Sequence, residues 1–263
     1  VNGSDQFCGG LVGQNNGVIN TSYAMGSVVG VWYVGGLVGM NQMNGIVNDS
    51  YAQGDVSGVN AVGGLVGYNL GHVNRSHSTG HVAGTLDVGG LVGMNSGVVT
   101  ASFWDTETSG TNASQGGVAK TTVEMMDAAT FTDAGWDLVD TWFIVDGLSY
   151  PLLHYQPVPL IAYAGEDQSV KVGRNFTFDG SGSSAAVNWT WTFNDGGPVV
   201  LYGETVDHVF DEVGNYEVTL TVRDADGNTD SDAITVNVTL TQELVLTIIS
   251  PANNSHFNVT SVF

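Results

Sequence analysis

Across the first hundred residues, short runs of Val, Leu and Ile are broken by Gly or Asn every five to eight positions. Apolar residues never recur there at i, i+3, i+4 and i+7, and Gly is too frequent for helices. The pattern predicts short strands joined by tight turns, with Gly supplying positive φ at the corners. It also repeats. A Gly-Gly-Leu-Val-Gly cassette occupies residues 9–13, 35–39, 63–67 and 89–93, with starts 26, 28 and 26 residues apart. An Asn follows each copy (Asn15, Asn41, Asn69, Asn95). A Ser-aromatic or Ser-His pair comes next: Ser22-Tyr23, Ser50-Tyr51, Ser76-His77 and Ser102-Phe103.

A fixed period of this size predicts a stacked array in which no unit buries its apolar face alone. One coil per repeat, stacked at about 4.8 Å, gives a β-solenoid roughly 19 Å long for four coils. Leu11, Leu37, Leu65 and Leu91 then form one interior ladder, and Tyr23, Tyr51, His77 and Phe103 a second. The second unit carries two extra residues, Gln42 and Met43, between Asn41 and Gly45. That is a turn, where an insertion leaves the ladders in register.

These repeats resemble the GLUG family, whose units combine a Gly-Leu-Val-Gly core with an Asn-Ser-Tyr-Ala tail. The tail is clearest at 20–30 and 48–58 and degraded at 74–84, where His77 replaces Tyr. The resemblance covers about residues 5–155. It implies a secreted or surface-anchored, adhesin-like protein and no catalytic residues.

After residue 100 the period is lost. The solenoid is assigned to 1–110 and an aromatic-rich cap with its linker to 111–157. Residues 121–129 read as one short helix with a Thr N-cap. Trp136, Leu138, Trp142, Ile144, Tyr150 and Leu152 offer bulk to cover open strand edges. Trp104, Trp136 and Trp142 are equally the residue type for a sugar-stacking platform, so Trp136 and Trp142 are candidate ligand-binding residues.

From 158 to 240 the pattern becomes strict alternation. Tyr216, Val218, Leu220 and Val222 face one way, with Glu217, Thr219, Thr221 and Arg223 opposite. Gly-rich turns at 179–182, 194–197 and 226–227 fit a sandwich. Segments 164–168, 178–183, 191–196 and 208–222 resemble a PKD domain, an immunoglobulin-like module. That resemblance implies a spacer or a carbohydrate- or protein-contacting unit of extracellular proteins. Residues 241–263 read as the start of a further Ig-like module or as an exchanged strand. The fold class is all-β throughout.

Charge then narrows the partners. Five Lys plus Arg stand against 26 Asp plus Glu, and only Asp5, Asp49, Asp55 and Asp87 of those acids precede residue 101. The solenoid is nearly uncharged, which permits lateral packing of neighbours. Without a basic patch, nucleic acid is not an expected partner. No run of eighteen apolar residues spans a bilayer. No leader peptide is visible, and the chain reads as a piece of a longer polypeptide. Its one cysteine, Cys8, stands where other repeats have Val34, Val62 and Val88, so it reads as a small buried apolar residue.

The chemistry is sparse. The six His residues have no triad partners, and no metalloprotease, Cys-x-x-Cys or phosphate-loop motif occurs. Asp105 and Glu107 are paired carboxylates in a capping segment. No enzyme is expected. Asp224, Asp226, Asn228 and Asp230 present oxygens at alternate positions, as calcium requires, without the closing Glu of a calcium loop. The same residues also suit a type I′ hairpin turn. Glu166, Asp167 and Asp179 form a second acidic group. Candidate glycosylation sites are Asn2, Asn20, Asn48, Asn74, Asn112, Asn175, Asn188, Asn237, Asn253 and Asn258. Asn20, Asn48 and Asn74 share one repeat position, and there the Asn also serves a turn.

The resulting expectation is a non-enzymatic extracellular adhesin or envelope scaffold that contacts surface polysaccharide, surface proteins or sister subunits. The domain pairing and acidic bias point to an archaeal source. Two rivals stand beside it: a self-assembling filament or sheath subunit that donates its terminal strand, and a carbohydrate-binding accessory module of a larger secreted enzyme.

Overall fold

The computed structural model describes residues 1–3 and 6–240. The expected third module or exchanged strand at 241–263 lies outside the described residues, as do Asn253 and Asn258. The chain divides into two compact units, Val1–Pro157 and Val158–Phe263.

The first unit is a solenoid of five parallel sheets, four of which take one strand from each of four coils. Gln6–Gly9, Trp32–Gly35, Asn60–Gly63 and Leu86–Gly89 form the first, and Val12–Asn15, Val38–Asn41, Val66–Asn69 and Val92–Asn95 the second. The third holds Val18–Asn20, Ile46–Asn48, His72–Asn74 and Val98–Thr100. Tyr23–Ala24, Tyr51–Ala52, His77–Ser78 and Phe103–Asp105 make the fourth, extended by Val118–Lys120. Three strands, Val28–Val29, Val56–Ser57 and Val82–Ala83, make the fifth. Equivalent residues pair throughout: Cys8 with Val34, then Val62, then Val88. Leu37, Leu65 and Leu91 are fully buried, whereas Leu11 on the first coil is 46% exposed. Gln42 and Met43 sit in a bulging turn, closed by a Gly45 N–H bond to the Gln42 carbonyl, and the register continues unshifted on both sides.

Two interiors run along the coils. One contains Leu37, Val38, Val47 and Ala52 with their equivalents; the other is built from Cys8, Val28, Val34, Val56, Val62 and Val82. Between the second and third strands of each coil lies a column of asparagine amides. Asn15 Nδ2 donates to Asn41 Oδ1, Asn41 to Asn69 and Asn69 to Asn95, each at 2.8 Å. Asn41 Nδ2 also lies 3.2 Å from the carbonyls of Gly45 and His72. A buried amide satisfied on every side locks the register, because a one-residue slip leaves all of these groups unpaired.

The corners correct one expectation. No glycine of the repeats has positive φ; the left-handed positions are Thr21, Asp49, Arg75 and Ala101 in one column and Phe7, Tyr33, Ala61 and Asp87 in another. The cassette glycines instead permit close approach. A Cβ on Gly36 would collide with the Gly64 carbonyl, and one on Gly64 with that of Gly90. Glycine is required here by crowding between stacked backbones, not by dihedral freedom.

The aromatic column is also placed differently from the expectation. Its rings stack, Tyr23 on Tyr51 at 5.4 Å and Tyr51 on His77 at 4.9 Å and 2°. They point away from the coil interior, which is filled by the next residue of each pair: Ala24, Ala52 and, in the last coil, Trp104. The inner corner is narrow, since a Cβ on Gly36 would already lie 2.8 Å from that of Ala52. In the first three coils the small residue therefore goes in and the ring out; in the last coil, with no further coil stacked on it, Trp104 takes the inner place. Residues 121–156 fold back along the solenoid's flank and bury the rings of Tyr51, His77 and Phe103 against Met125, Phe131, Trp136, Trp142 and Leu153, while Tyr23 on the first coil stays exposed. Each indole buried there contributes roughly 4–5 kcal/mol of transfer free energy.

A separate segment covers the last coil. Gly90 N–H donates to the Ala113 carbonyl, and Ser114 Oγ accepts from the Leu91 and Val92 N–H groups. The single helix expected at 121–129 is two. Thr122–Met126 has the capping box of Thr121 with Glu124. It stops at Asp127, whose backbone is extended and whose carboxylate caps Ala128–Thr132.

The second unit is a two-sheet sandwich. Its larger sheet runs Gln168–Lys171, Thr229–Thr239, Gly214–Arg223, Asn188–Asn194, Pro198–Tyr202; the smaller pairs Asn175–Asp179 with Thr205–Val209. Trp191, stacked on Phe178 at 5.1 Å, centres the core with Phe210, Val218, Leu220 and Val236. Tyr216 Oη donates to the Glu212 carbonyl at 2.9 Å, the back-bond of a tyrosine corner.

Asn41→Ala removes the acceptor for Asn15 and strands the donors and acceptors around it. It is expected to cost the solenoid about 2 kcal/mol, against almost nothing for Gln42→Ala, in urea unfolding followed by circular dichroism. His77 gives a pH signature. Burial pushes its pKa from 6.5 down to about 4, opposed by its Nε2 contact with the Pro151 carbonyl. The unfolded chain therefore binds the proton more tightly between pH 4 and 6.5. Stability is fully present above pH 6.5 and declines by about 3 kcal/mol as pH falls to 4. His77→Phe, matching Phe103 in the same column, should flatten that part of the unfolding profile. An identical pH slope in both proteins would contradict the assignment.

Candidate functional site

The two tryptophans read as a sugar platform, Trp136 and Trp142, are buried, at 4% and 0% exposure. Trp136 Nε1 donates to the Ala101 carbonyl at 2.8 Å, and Trp142 Nε1 lies 3.4 Å from Asp49 Oδ1. Their ring centroids are 4.5 Å apart, leaving no indole face open to a ligand. The side chains that cover the aromatic column are thus the ones that a sugar would need exposed.

The ionisable groups of the first unit are held by structural partners. Asp105, fully buried, accepts from the Glu107 and Thr108 N–H groups through Oδ1 and from the Thr122 and Tyr150 hydroxyls through Oδ2. Burial and this carboxylate push the Tyr150 phenol up to about 12. Asp49 pairs with Arg75 at 2.7 Å, which raises the guanidinium pKa further. Tyr51 is pushed up to about 12, chiefly by burial, although its hydroxyl donates to Gln156 Oε1. His77 contacts a carbonyl and stacked rings, with no hydroxyl or thiol nucleophile bonded to it. In the second unit, His208 Nε2 lies 2.8 Å from Asp195 Oδ2, packed edge-on against Phe193 and Phe210.

The acidic loop at 224–230 is occupied by its own backbone. Asp224 Oδ1 accepts from the Asp226 and Asn228 N–H groups, and Oδ2 from the Asn228 amide. These bonds hold the Asp224 carboxyl below the usual carboxylate range, the Asn228 side chain contributing most. Asp230 is turned away to accept from the Ala162 N–H at 2.8 Å. Only Gly227 has positive φ, so the turn is not the type I′ that Asp-Gly suggested; Asp226 keeps negative φ. Asp167 and Asp179 likewise accept from the Thr235 and Ser181 N–H groups. Among the described residues, no three or more His, Cys, Asp or Glu side chains converge as a metal would require.

The glycosylation candidates separate by environment. Asn48 and Asn74 belong to a second amide column, Asn74 donating to Asn48 and Asn48 to Asn20 at 2.9 and 3.0 Å. Their sequon hydroxyls, Ser50 and Ser76, are fully buried and donate to the Asn48 and Asn74 carbonyls. Asn2, Asn20, Asn112, Asn175, Asn188 and Asn237 are exposed.

A cleft of about 640 Å³ lies in the sandwich and was not singled out from the sequence. Register alone defines its floor. Tyr202, Thr190, Thr221 and Ser231 pair across four adjacent strands of the larger sheet; Asn188, Arg223 and Thr229 form the next row on the same face. Alternation already placed Thr221 and Arg223 on the side opposite the core. That Asn188 and Tyr202 join them depended on strand pairing, which alternation does not reveal.

Comparison with known proteins bears mainly on this second unit. Residues 156–240 match the PKD domain family. Among curated proteins none matches the chain. One solved structure comes from work described as "Structural basis for the promiscuous specificity of the carbohydrate-binding modules from the beta-sandwich super family". It is 24% identical, with a TM-score of 0.27 and coverage of 35% of this chain and 38% of that one. The chain therefore spans well under half of that protein's length. The C-terminal unit is a PKD-type, immunoglobulin-like sandwich.

Proposed function

We propose that this chain is a non-enzymatic extracellular protein of the cell surface or envelope, which holds contacts with polysaccharide or with other surface proteins. One observation carries the reading. Most polar and ionisable groups inside the solenoid are engaged in its own construction, in the Asn41 and Ser50 columns, the Asp105 hub and the Nε2 of the covered His77. Asn60 Oδ1 and His77 Nδ1 are buried without a partner but are closed off from solvent. A scaffold needs that arrangement, whereas turnover needs a nucleophile or base left open to substrate. The PKD-type sandwich supports the same reading, because such modules serve as spacers and contact units in extracellular proteins. So does the resemblance of the repeats to the GLUG family. A solenoid with few charges carries little long-range repulsion and tolerates close approach to a neighbouring surface.

Beads coated with the chain should adhere to polysaccharide-coated or cell-coated surfaces several-fold more than albumin-coated beads, while the free protein remains monomeric in analytical ultracentrifugation. Adhesion no better than albumin would contradict the reading. Ordered polymers in negative-stain images, lost on deletion of 241–263, would transfer support to the filament alternative.

A further inference from the structure

The cleft on the sandwich's larger sheet combines features that no structural role consumes. Tyr202 is 75% exposed although it is a large aromatic on a regular strand. Arg223, directly opposite Asn188 in the register, makes no ion pair among the described residues. That matters in a domain where thirteen carboxylates face three cations between 158 and 240. Two neighbouring acids are committed elsewhere, Asp224 stapling its own turn and Asp230 receiving the Ala162 N–H, and Glu204, which also lines the cleft, forms no ion pair with Arg223. The guanidinium is thus left facing a cleft where the hydroxyls of Thr190, Thr221 and Thr229 and the amide of Asn188 stand beside the apolar Val187, Trp189 and Val222.

We propose that this cleft binds a carboxylate-bearing pyranose, a uronic-acid unit of a surface polysaccharide, with its carboxylate on Arg223 and its apolar ring face on Tyr202. The inference rests on the reading of the chain as a surface-contact protein and adds the ligand class. A guanidinium offers a planar fork that matches a carboxylate with two parallel hydrogen bonds. An exposed phenol ring supplies a flat apolar face with a polar rim, suited to a sugar's axial C–H surface. The two rows of hydroxyl and amide groups complement sugar hydroxyls at several positions. Backbone groups in the middle strands are already paired in the sheet, so an extended peptide finds no ladder to join there. The acidic field of the domain repels a dense polyanion and favours a polymer whose uronates alternate with neutral sugars. Glu204, at the cleft's rim, sharpens that discrimination.

Asn188 is also a glycosylation candidate, and a glycan there would fill the cleft; the test therefore uses the full chain from a bacterial host that does not glycosylate asparagine. The probe is a hyaluronan oligosaccharide, in which glucuronate alternates with a neutral sugar, measured by calorimetry. Its carboxyl-reduced counterpart should bind at least about tenfold more weakly, the scale of one charge-assisted contact. Arg223→Gln and Tyr202→Ala should each weaken the intact oligosaccharide by a similar factor. Lys171→Gln, outside the cleft, should not. Both cleft side chains are solvent-facing, and unchanged melting curves will show that the variants fold. Undetectable binding of the oligosaccharide, equal binding of the reduced sugar, or equal binding by Arg223→Gln would overturn the proposal. Polyglutamate binding as tightly with the same Arg223 dependence would overturn it in favour of an acidic peptide. If coated beads adhere but the Arg223→Gln protein adheres equally, this inference falls and the surface-contact reading stands.

Discussion

Stacking in register is the constraint from which the N-terminal unit follows. A coil of 26 residues cannot bury its Leu and Val side chains alone, and each strand it contributes has two unpaired edges. Both deficits are met when the next coil repeats the same residue at the same place. The amide column of Asn15, Asn41, Asn69 and Asn95 makes that alignment specific, because the hydrogen bonds close only between equivalent positions. Apolar columns alone would tolerate sliding between Val and Leu; a buried amide does not. The cassette glycines serve the same end by letting one backbone approach the next.

From this constraint come the two treatments of the solenoid's margins. Residues 111–120 finish the stack by supplying hydrogen-bond partners to the last coil. Residues 121–156 act on the flank instead, where the Tyr-Tyr-His-Phe column faces outward; in the first three coils the inner corner takes only Ala or Ser, and in the last it takes Trp104. A ring column left in water would be a large apolar patch. The flank covers it with Trp136, Trp142 and Phe131, and in doing so commits His77 to the neutral state. Enclosure of that histidine is the consequence of continuing an aromatic column through a repeat that lacks Tyr.

Much of this was legible beforehand, for identifiable reasons. The period, the Leu column and the harmless insertion at Gln42 and Met43 follow from spacing, which sequence records directly. The alternation of Tyr216 to Arg223 likewise assigns inner and outer faces. What escaped depends on three-dimensional crowding. Glycine was expected at positive φ, yet Thr21, Asp49, Arg75 and Ala101 turn those corners. Spacing does not distinguish a glycine needed for its dihedral from one needed for lack of Cβ. The Ser-Tyr-Ala order does not say which side chain points inward until the width of the corner is known. Trp136 and Trp142 have the composition of a binding platform, and only their burial assigns them to the core. The sandwich cleft joins residues from separate strands, and pairing rather than local pattern brings Asn188, Tyr202 and Arg223 together.

The functional reading inherits its strength from the register, since misaligned coils would expose the amides, the rings and the buried acids together. Through-hydrogen-bond scalar couplings, measured by NMR on isotopically labelled protein, test that register most directly. The account predicts a coupling from the Leu37 amide to the Leu65 carbonyl, and another from the Leu65 amide to the Leu91 carbonyl, across hydrogen bonds of 2.9 Å. Couplings from those amides to carbonyls within their own repeat, or to positions offset from the equivalent leucine, would contradict it.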